Sequence, residues 1–240
     1  MTFRGNSLCG KCFAFSAILL AGALGTVPMR AADDLSGVLA KMDASAAKFK
    51  SAQADVVWDA VQTQPILDSD KQAGTILFAR AGGQVQVALH LRSDQGRPMQ
   101  KDMIYAGGVG KLYDAQVKQM QVFAVGDKKS ALDAFLTLGF GGSGADLQKS
   151  WTIKYDGAEA VGGVQAAKLE LMPKDAEVAK GSPKVLLWID LEKGVGLQQQ
   201  RYDASGNYTM ITYSNVKLGV PVPAHAFELK PPSGTQIVNH

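Results

Sequence analysis

The residues that could do chemistry are few and scattered. The stretch Leu138–Leu147 reads LGFGGSGADL, and Gly139, Gly141 and Gly144 inside it spell GxGxxG. That spacing binds a dinucleotide only between a strand and a long helix whose N-terminus carries the pyrophosphate. Here a helical pattern comes before the glycines. Asp127 is placed to cap the run KKSALDAFLTLGF, in which Leu132, Phe135, Leu136 and Leu138 make a wide apolar surface. Only ADLQKS separates Gly144 from a strand-like run at Trp151, too short for a phosphate-binding helix. The nucleotide reading therefore falls. Gly139 reads as a helix stop and GFGGSG as a hinge with Phe140 exposed on it. The segment suits either a lid or a plain surface loop.

Other nucleophiles and ligands are no better placed. The GGSGA around Ser143 lacks the glycine that a nucleophile elbow needs two places after the serine. His90, His225 and His240 have no metal-ligand spacing with one another or with an acid. Asp55 and Asp59 sit on a strand, where they would face outward as solubilising charges, and Asp190 and Glu192 flank a turn. A hydrolase reading would need the last two inside a cavity. The residues point to no catalysis, no metal and no cofactor.

The N-terminus reads as an export signal. Arg4 and Lys11 precede CFAFSAILLAGALG, an apolar block too short for a span of about 20 residues. Cleavage is expected after Gly25 or between Arg30 and Asp33, giving a signal peptide over 1–32 and one domain over 33–240. An uncleaved anchor is the alternative. Cys9 and Cys12 leave with the leader, so no disulfide or thiol chemistry is expected beyond it. Arg4, Lys11 and Arg30 also account for the whole formal charge of +3. The neutral remainder offers no counter-ion release to nucleic acid and no basic excess to an anionic membrane.

The elements that must position any site follow from periodicity. Leu35, Val38, Leu39, Met42, Ala46 and Phe49 form one helical stripe, with Asp33 and Asp34 to cap it. From there the period is two. ADVVWDAVQT, AGTILFARA, GQVQVALHLR, KDMIYA and GGVGKLYDAQVKQMQVF alternate, and so do WTIKYDG, VQAAKLELMP, PKVLLWIDLEKG, VGLQQQRYDASGNYTMITYSNV and HAFELKPP. The expected fold is mainly β (α+β): one mostly antiparallel sheet of about eleven strands with two helical insertions.

Two helices cover little of such a sheet, and a broad apolar face with few helices over it suggests a cavity. Ile76 and Phe78 share a face with Arg80; Val87 and Leu89 share one, Met103 and Tyr105 another, and Met120 and Val122 another. Methionines and aromatics of this kind either pack as core or line a pocket for flexible chains. The five donors of Arg80 suit carbonyls at a helix end or in a lid loop; otherwise the side chain snorkels to solvent.

In their order along the chain these pieces resemble the LolA family of periplasmic outer-membrane lipoprotein carriers. The resemblance rests on the opening helix with FKSAQADVVW, on AGTILFAR, on GGVGKLYDAQVKQMQVF, on the late hairpin and on FELKPPSGTQIV. Ala81 stands where the family usually has proline. The resemblance implies an incomplete, strongly curved antiparallel barrel lidded by helices, with no enzymatic activity. Acyl chains of lipoproteins or other lipids would lie on Ile76, Phe78, Val87, Leu89, Met103, Tyr105 and Met120. Phe135, Leu138 and Phe140 would form the lid's inner surface, and Arg80 would latch the lid. It also implies an inner-membrane lipoprotein-releasing ABC transporter as donor, an outer-membrane acceptor and a monomeric carrier. An envelope sensor or a glycolipid-binding protein on the same fold is the alternative.

Overall fold

The computed structural model describes residues 34–124, 135 and 137–240. The expected signal peptide, Cys9, Cys12 and the proposed cap Asp127 lie outside the described residues, as does most of the second helical pattern. Helix α1 spans Leu35–Lys48, and the Asp34 carboxylate accepts the Gly37 amide at its start. Strands β1 to β6 follow as Ser51–Gln62, Asp68–Ala81, Gln84–Asp94, Arg97–Ala106, Val109–Asp114 and Gln119–Ala124. A short helix α2, Gly144–Ser150, leads into β7, Trp151–Val161, and β8, Val164–Pro173. After α3, Ala176–Gly181, come β9, Lys184–Asp190, β10, Gly196–Tyr202, and β11, Tyr208–Leu218. A four-residue β12, Gln236–Asn239, ends the chain.

All the described strands join one sheet in the order β12-β6-β5-β4-β3-β2-β1-β11-β10-β9-β8-β7. Its two edges, β12 and β7, do not pair with each other, so the barrel is incomplete. Every pairing is antiparallel except that of β12 with β6. The alternation predicts about eleven strands and the described residues form twelve, with a shift at the end. HAFELKPP is irregular, and the last strand forms instead at Gln236–Asn239. Pro231 and Pro232 lack the amide a ladder needs, which moves pairing past them.

The sheet's inner face is filled in two parts. Over β7–β9, Val38, Leu39 and Met42 of α1 pack with Leu138, Leu147 and Trp151 on Leu169, Leu171, Val185, Leu187 and Ile189. Over β1–β4 and β11, no helix of the described residues contributes to the buried cluster. Phe49, just past the end of α1, enters it from one side, and Phe140 from a loop packs with Ile76, Phe78, Val87, Leu89, Tyr105 and Tyr213.

The outer face carries a polar cluster. Asp102, buried on β4, accepts hydrogen bonds from Arg92 at 2.6 Å and Gln100 at 2.8 Å, and its carboxylate meets His90 Nδ1 at 2.7 Å. Burial pushes its pKa up, but the hydrogen bonds from His90, Gln100 and Arg92 outweigh that and hold it down at about 2. A carboxyl depressed in the folded state stabilises above its unfolded pKa, and the benefit goes as pH falls through the folded one. Asp102→Asn should therefore destabilise the protein at neutral pH. The gap in denaturant midpoint between mutant and wild type should close as pH falls from about 4 to about 2. A gap of constant size across that range would mean that the ionised form of Asp102 contributes nothing.

Candidate functional site

Register decides which side chains share the inner face. Ala54, Ile76, Leu89, Met103 and Leu112 stand directly across from one another on β1 to β5. The next row, Ala52, Phe78, Val87, Tyr105 and Gly110, extends to Phe123 on β6. Six of the expected wall residues thus form two adjacent rows on one face: Ile76, Phe78, Val87, Leu89, Met103 and Tyr105.

Met120 does not join them. It pairs with Tyr113, which pairs with Asp102, which pairs with His90. That row is on the outer face, because one step along a strand turns a side chain to the opposite side. Gln121 and Phe123 hold the inner positions of β6 instead.

The GFGGSG segment is built around Phe140. Its ring is fully buried, stacked on Phe78 at 4.4 Å between centroids and edge-on to Tyr213 at 5.1 Å. The expectation of an exposed Phe140 is corrected by this contact: an aromatic ring beside an unfilled apolar face gains more by burial than a loop gains by staying free. The three expected lid residues also divide. Leu138 packs in the helix-covered half, Phe135 lies edge-on to Trp151 at 5.1 Å in the same half, and only Phe140 enters the other.

The glycines of GxGxxG now have steric reasons. Gly139 has φ +82°, and a Cβ there would lie 2.6 Å from the Gly196 Cα of β10. The two backbones touch closely enough for the Gly196 amide to donate to the Gly139 carbonyl at 2.8 Å. At Gly144 a Cβ would meet the Leu39 carbonyl oxygen at 2.6 Å, so the residue lets α2 approach α1. Ser143 is the cap of α2, its hydroxyl accepting the Asp146 amide at 3.0 Å.

Arg80 reaches the same segment. Its guanidinium donates to the Gly141 carbonyl and lies 5.9 Å from the centre of the Phe49 ring. The Phe140 ring is thus flanked by two fastenings, the Gly196 amide on Gly139 and the Arg80 guanidinium on Gly141. The Arg80 side chain remains exposed, so water competes with the second of these.

Phe140 leaves part of the apolar face uncovered. Trp58, Leu89, Leu91, Met103 and Leu112, with Gln72 and Lys101, surround a hollow of about 210 Å³. Leu89 and Leu91 also belong to the cluster that holds Phe140. Trp58, Leu91 and Leu112 were not singled out by sequence. The alternation of β1, β3 and β5 carries them, but only strand pairing shows which alternate set faces inward.

The acids considered for hydrolysis have other work. Asp190 is buried, but its carboxylate accepts the Glu192 and Lys193 amides at 2.7 and 2.9 Å and so fixes the β9–β10 turn. Asp59 is buried rather than solvated and accepts from the Ser69 hydroxyl at 2.6 Å. Asp55 stays exposed, beside Asn215.

No family model matches the chain. Two curated proteins are similar to it, and both are named outer-membrane lipoprotein carrier protein. The one from Methylococcus capsulatus (strain ATCC 33009 / NCIMB 11132 / Bath) is 26% identical over 146 residues, 61% of this chain and 64% of that protein. The match therefore spans a little under two thirds of that relative's length. The one from Dechloromonas aromatica (strain RCB) is 27% identical over 168 residues, 70% of this chain and 72% of that protein. Among solved structures, an uncharacterized conserved protein from Thermus thermophilus superposes with a TM-score of 0.51 at 11% identity. It covers 85% of this chain and 98% of its own, and shows the fold alone. The resemblance to lipoprotein carriers read from the sequence and the open, mainly β barrel are thus both found.

Proposed function

We propose that this chain is a periplasmic carrier that binds acyl chains on the inner face of its open barrel, in the place Phe140 holds when the site is empty. The observation that carries the reading is Phe140 itself. A loop contributes one ring, fully buried, to an apolar face that no described helix covers, and the surface beside it stays partly open. A face of this kind needs an apolar guest, and the loop supplies one that can be exchanged. The names of the two curated relatives support the same reading.

Ile76, Phe78, Val87, Leu89, Met103 and Tyr105 form the wall for the cargo, joined by Trp58, Leu91 and Leu112. Each acyl CH₂ transferred from water to that wall contributes about 0.8 kcal/mol. Part of this offsets the loss of Phe140 from the same place. Phe135 and Leu138 stay with the helix-covered half and anchor the moving loop. Arg80 latches it shut, and the protein works by binding without catalysing a reaction. Acylated lipoproteins would come from a releasing ABC transporter at the inner membrane and pass to an acceptor at the outer membrane. The leader over 1–32 would be removed on export.

The test is the content of the cavity. Protein recovered from the periplasm and extracted with organic solvent should release acylated material, identified by mass. The empty protein should bind a fluorescent fatty-acyl probe with nearly the same affinity at low and moderate salt, because burial supplies the energy. No extractable lipid together with no probe binding would defeat the carrier reading. Affinity that collapsed with salt would show that head-group charge, and not the apolar wall, holds the ligand.

A further inference from the structure

We propose that the cavity has a charged end that selects a zwitterionic head group, so that a phospholipid lies with its tails on the apolar rows and its head at Lys101 and Asp114. This rests on the carrier reading and adds to it a class of ligand. Lys101 pairs in register with Leu91 on one side and Asp114 on the other. It stands two residues along β4 from Met103, one inner-face row and about 6.6 Å away from the apolar row Leu89–Met103–Leu112. It lines the hollow of about 210 Å³, and its ammonium is 3.5 Å from the Asp114 carboxylate. Both side chains are about three-quarters buried, at 27% and 23% exposure. An ion pair therefore sits on the inner face, beside Leu91 and one row beyond Met103 and Leu112.

Further along the same face, Gln72 pairs with Asp94, and Asp70 stands two residues from Gln72. Asp70 is held above the usual carboxylate range by burial and by Asp94 beside it, and Lys101 opposes this. One Asp94 carboxylate oxygen is buried with no hydrogen-bond partner.

The pairing decides which head fits. A neutral head leaves the ion pair as it is and gains nothing from it. An anionic head that captures Lys101 leaves the Asp114 carboxylate partly buried without a counter-charge, held only by the Gln116 amide at 2.9 Å, which is costly. A zwitterion replaces both partners at once: its anionic centre takes Lys101, and its cationic centre takes Asp114. No charge is left alone, and two charge-assisted contacts form.

The experiment displaces the bound fatty-acyl probe from the full chain with three short-chain lipids of equal tail length: dioctanoylphosphatidylcholine, dioctanoylphosphatidylglycerol and dioctanoylglycerol. The zwitterionic lipid should compete about tenfold better than either of the others, the size expected of one charge-assisted contact. The double variant Lys101→Met with Asp114→Leu, checked for its fold by circular dichroism, should lose that ranking. Equal competition by all three lipids on the wild type would overturn the proposal while leaving the carrier reading intact. A ranking that survived the double variant would overturn it too. Failure of the probe to bind the wild type at all would overturn both.

Discussion

Phe140→Ala should destabilise the empty protein by about 3–5 kcal/mol, the usual cost of removing a buried phenylalanine, and at the same time tighten its hold on acyl chains. The two effects have one cause. In the structure the ring occupies the wall, stacked on Phe78 and edge-on to Tyr213. Cargo must displace it, so wild-type affinity is the acyl burial energy less the energy of unseating the ring. Alanine removes that competitor and leaves an apolar gap beside Phe78 that an acyl chain fills. Denaturant midpoints of the empty protein and titration with the fatty-acyl probe measure the two quantities. Saturating probe should restore most of the lost stability, because a ligand that binds only the folded state stabilises it by mass action. If affinity falls together with stability, Phe140 is part of the cargo wall and not its rival.

Arg80→Leu should shift the balance the same way with little damage to the fold. The guanidinium bonds the Gly141 carbonyl from the strand that carries Phe78, and so holds the loop with Phe140 seated. A hydrogen bond to a charged group contributes about 1.5–3 kcal/mol, and the exposure of Arg80 puts this one at the low end. That corresponds to roughly tenfold in the ratio of closed to open forms. Leucine suits a strand facing an apolar wall. The variant should therefore bind the probe up to about tenfold more tightly and release it to acceptor vesicles more slowly. Weaker binding would place Arg80 on a ligand's head group. No change in affinity or release would make it a strand-end side chain turned to solvent.

The two fastenings of the loop differ in how visible they were. Arg80 is a charge at the end of an apolar strand, and its five donors call for carbonyl partners. The contact between Gly139 and Gly196 had no such signal. Both are ordinary turn glycines in the sequence, far apart, and only the packed fold brings their backbones together.

What the sequence determined by itself was periodic or local. The alternation of β1 to β11, the stripe of α1 with its Asp34 cap and the β10–β11 turn, where the Asp203 carboxylate accepts the Ser205 and Asn207 amides, are each set by neighbours in the chain. So is the failure of GxGxxG as a nucleotide site, because the helix it requires would have to follow within a few residues. What only the tertiary structure decided was which side of each strand faces inward and what covers it. Met120 and Leu112 are equally apolar on adjacent strands, yet pairing sends Met120 to the outer face and Leu112 to the cavity. Phe140 reads as an exposed loop residue because its partners, Phe78 and Tyr213, are far away in the chain in either direction. Lys101 and Asp114 look like two ordinary surface charges until β4 and β5 pair and set them side by side on the inner face. Side-chain period is a property of the strand, whereas facing and burial belong to the sheet, and the site is made of the second kind.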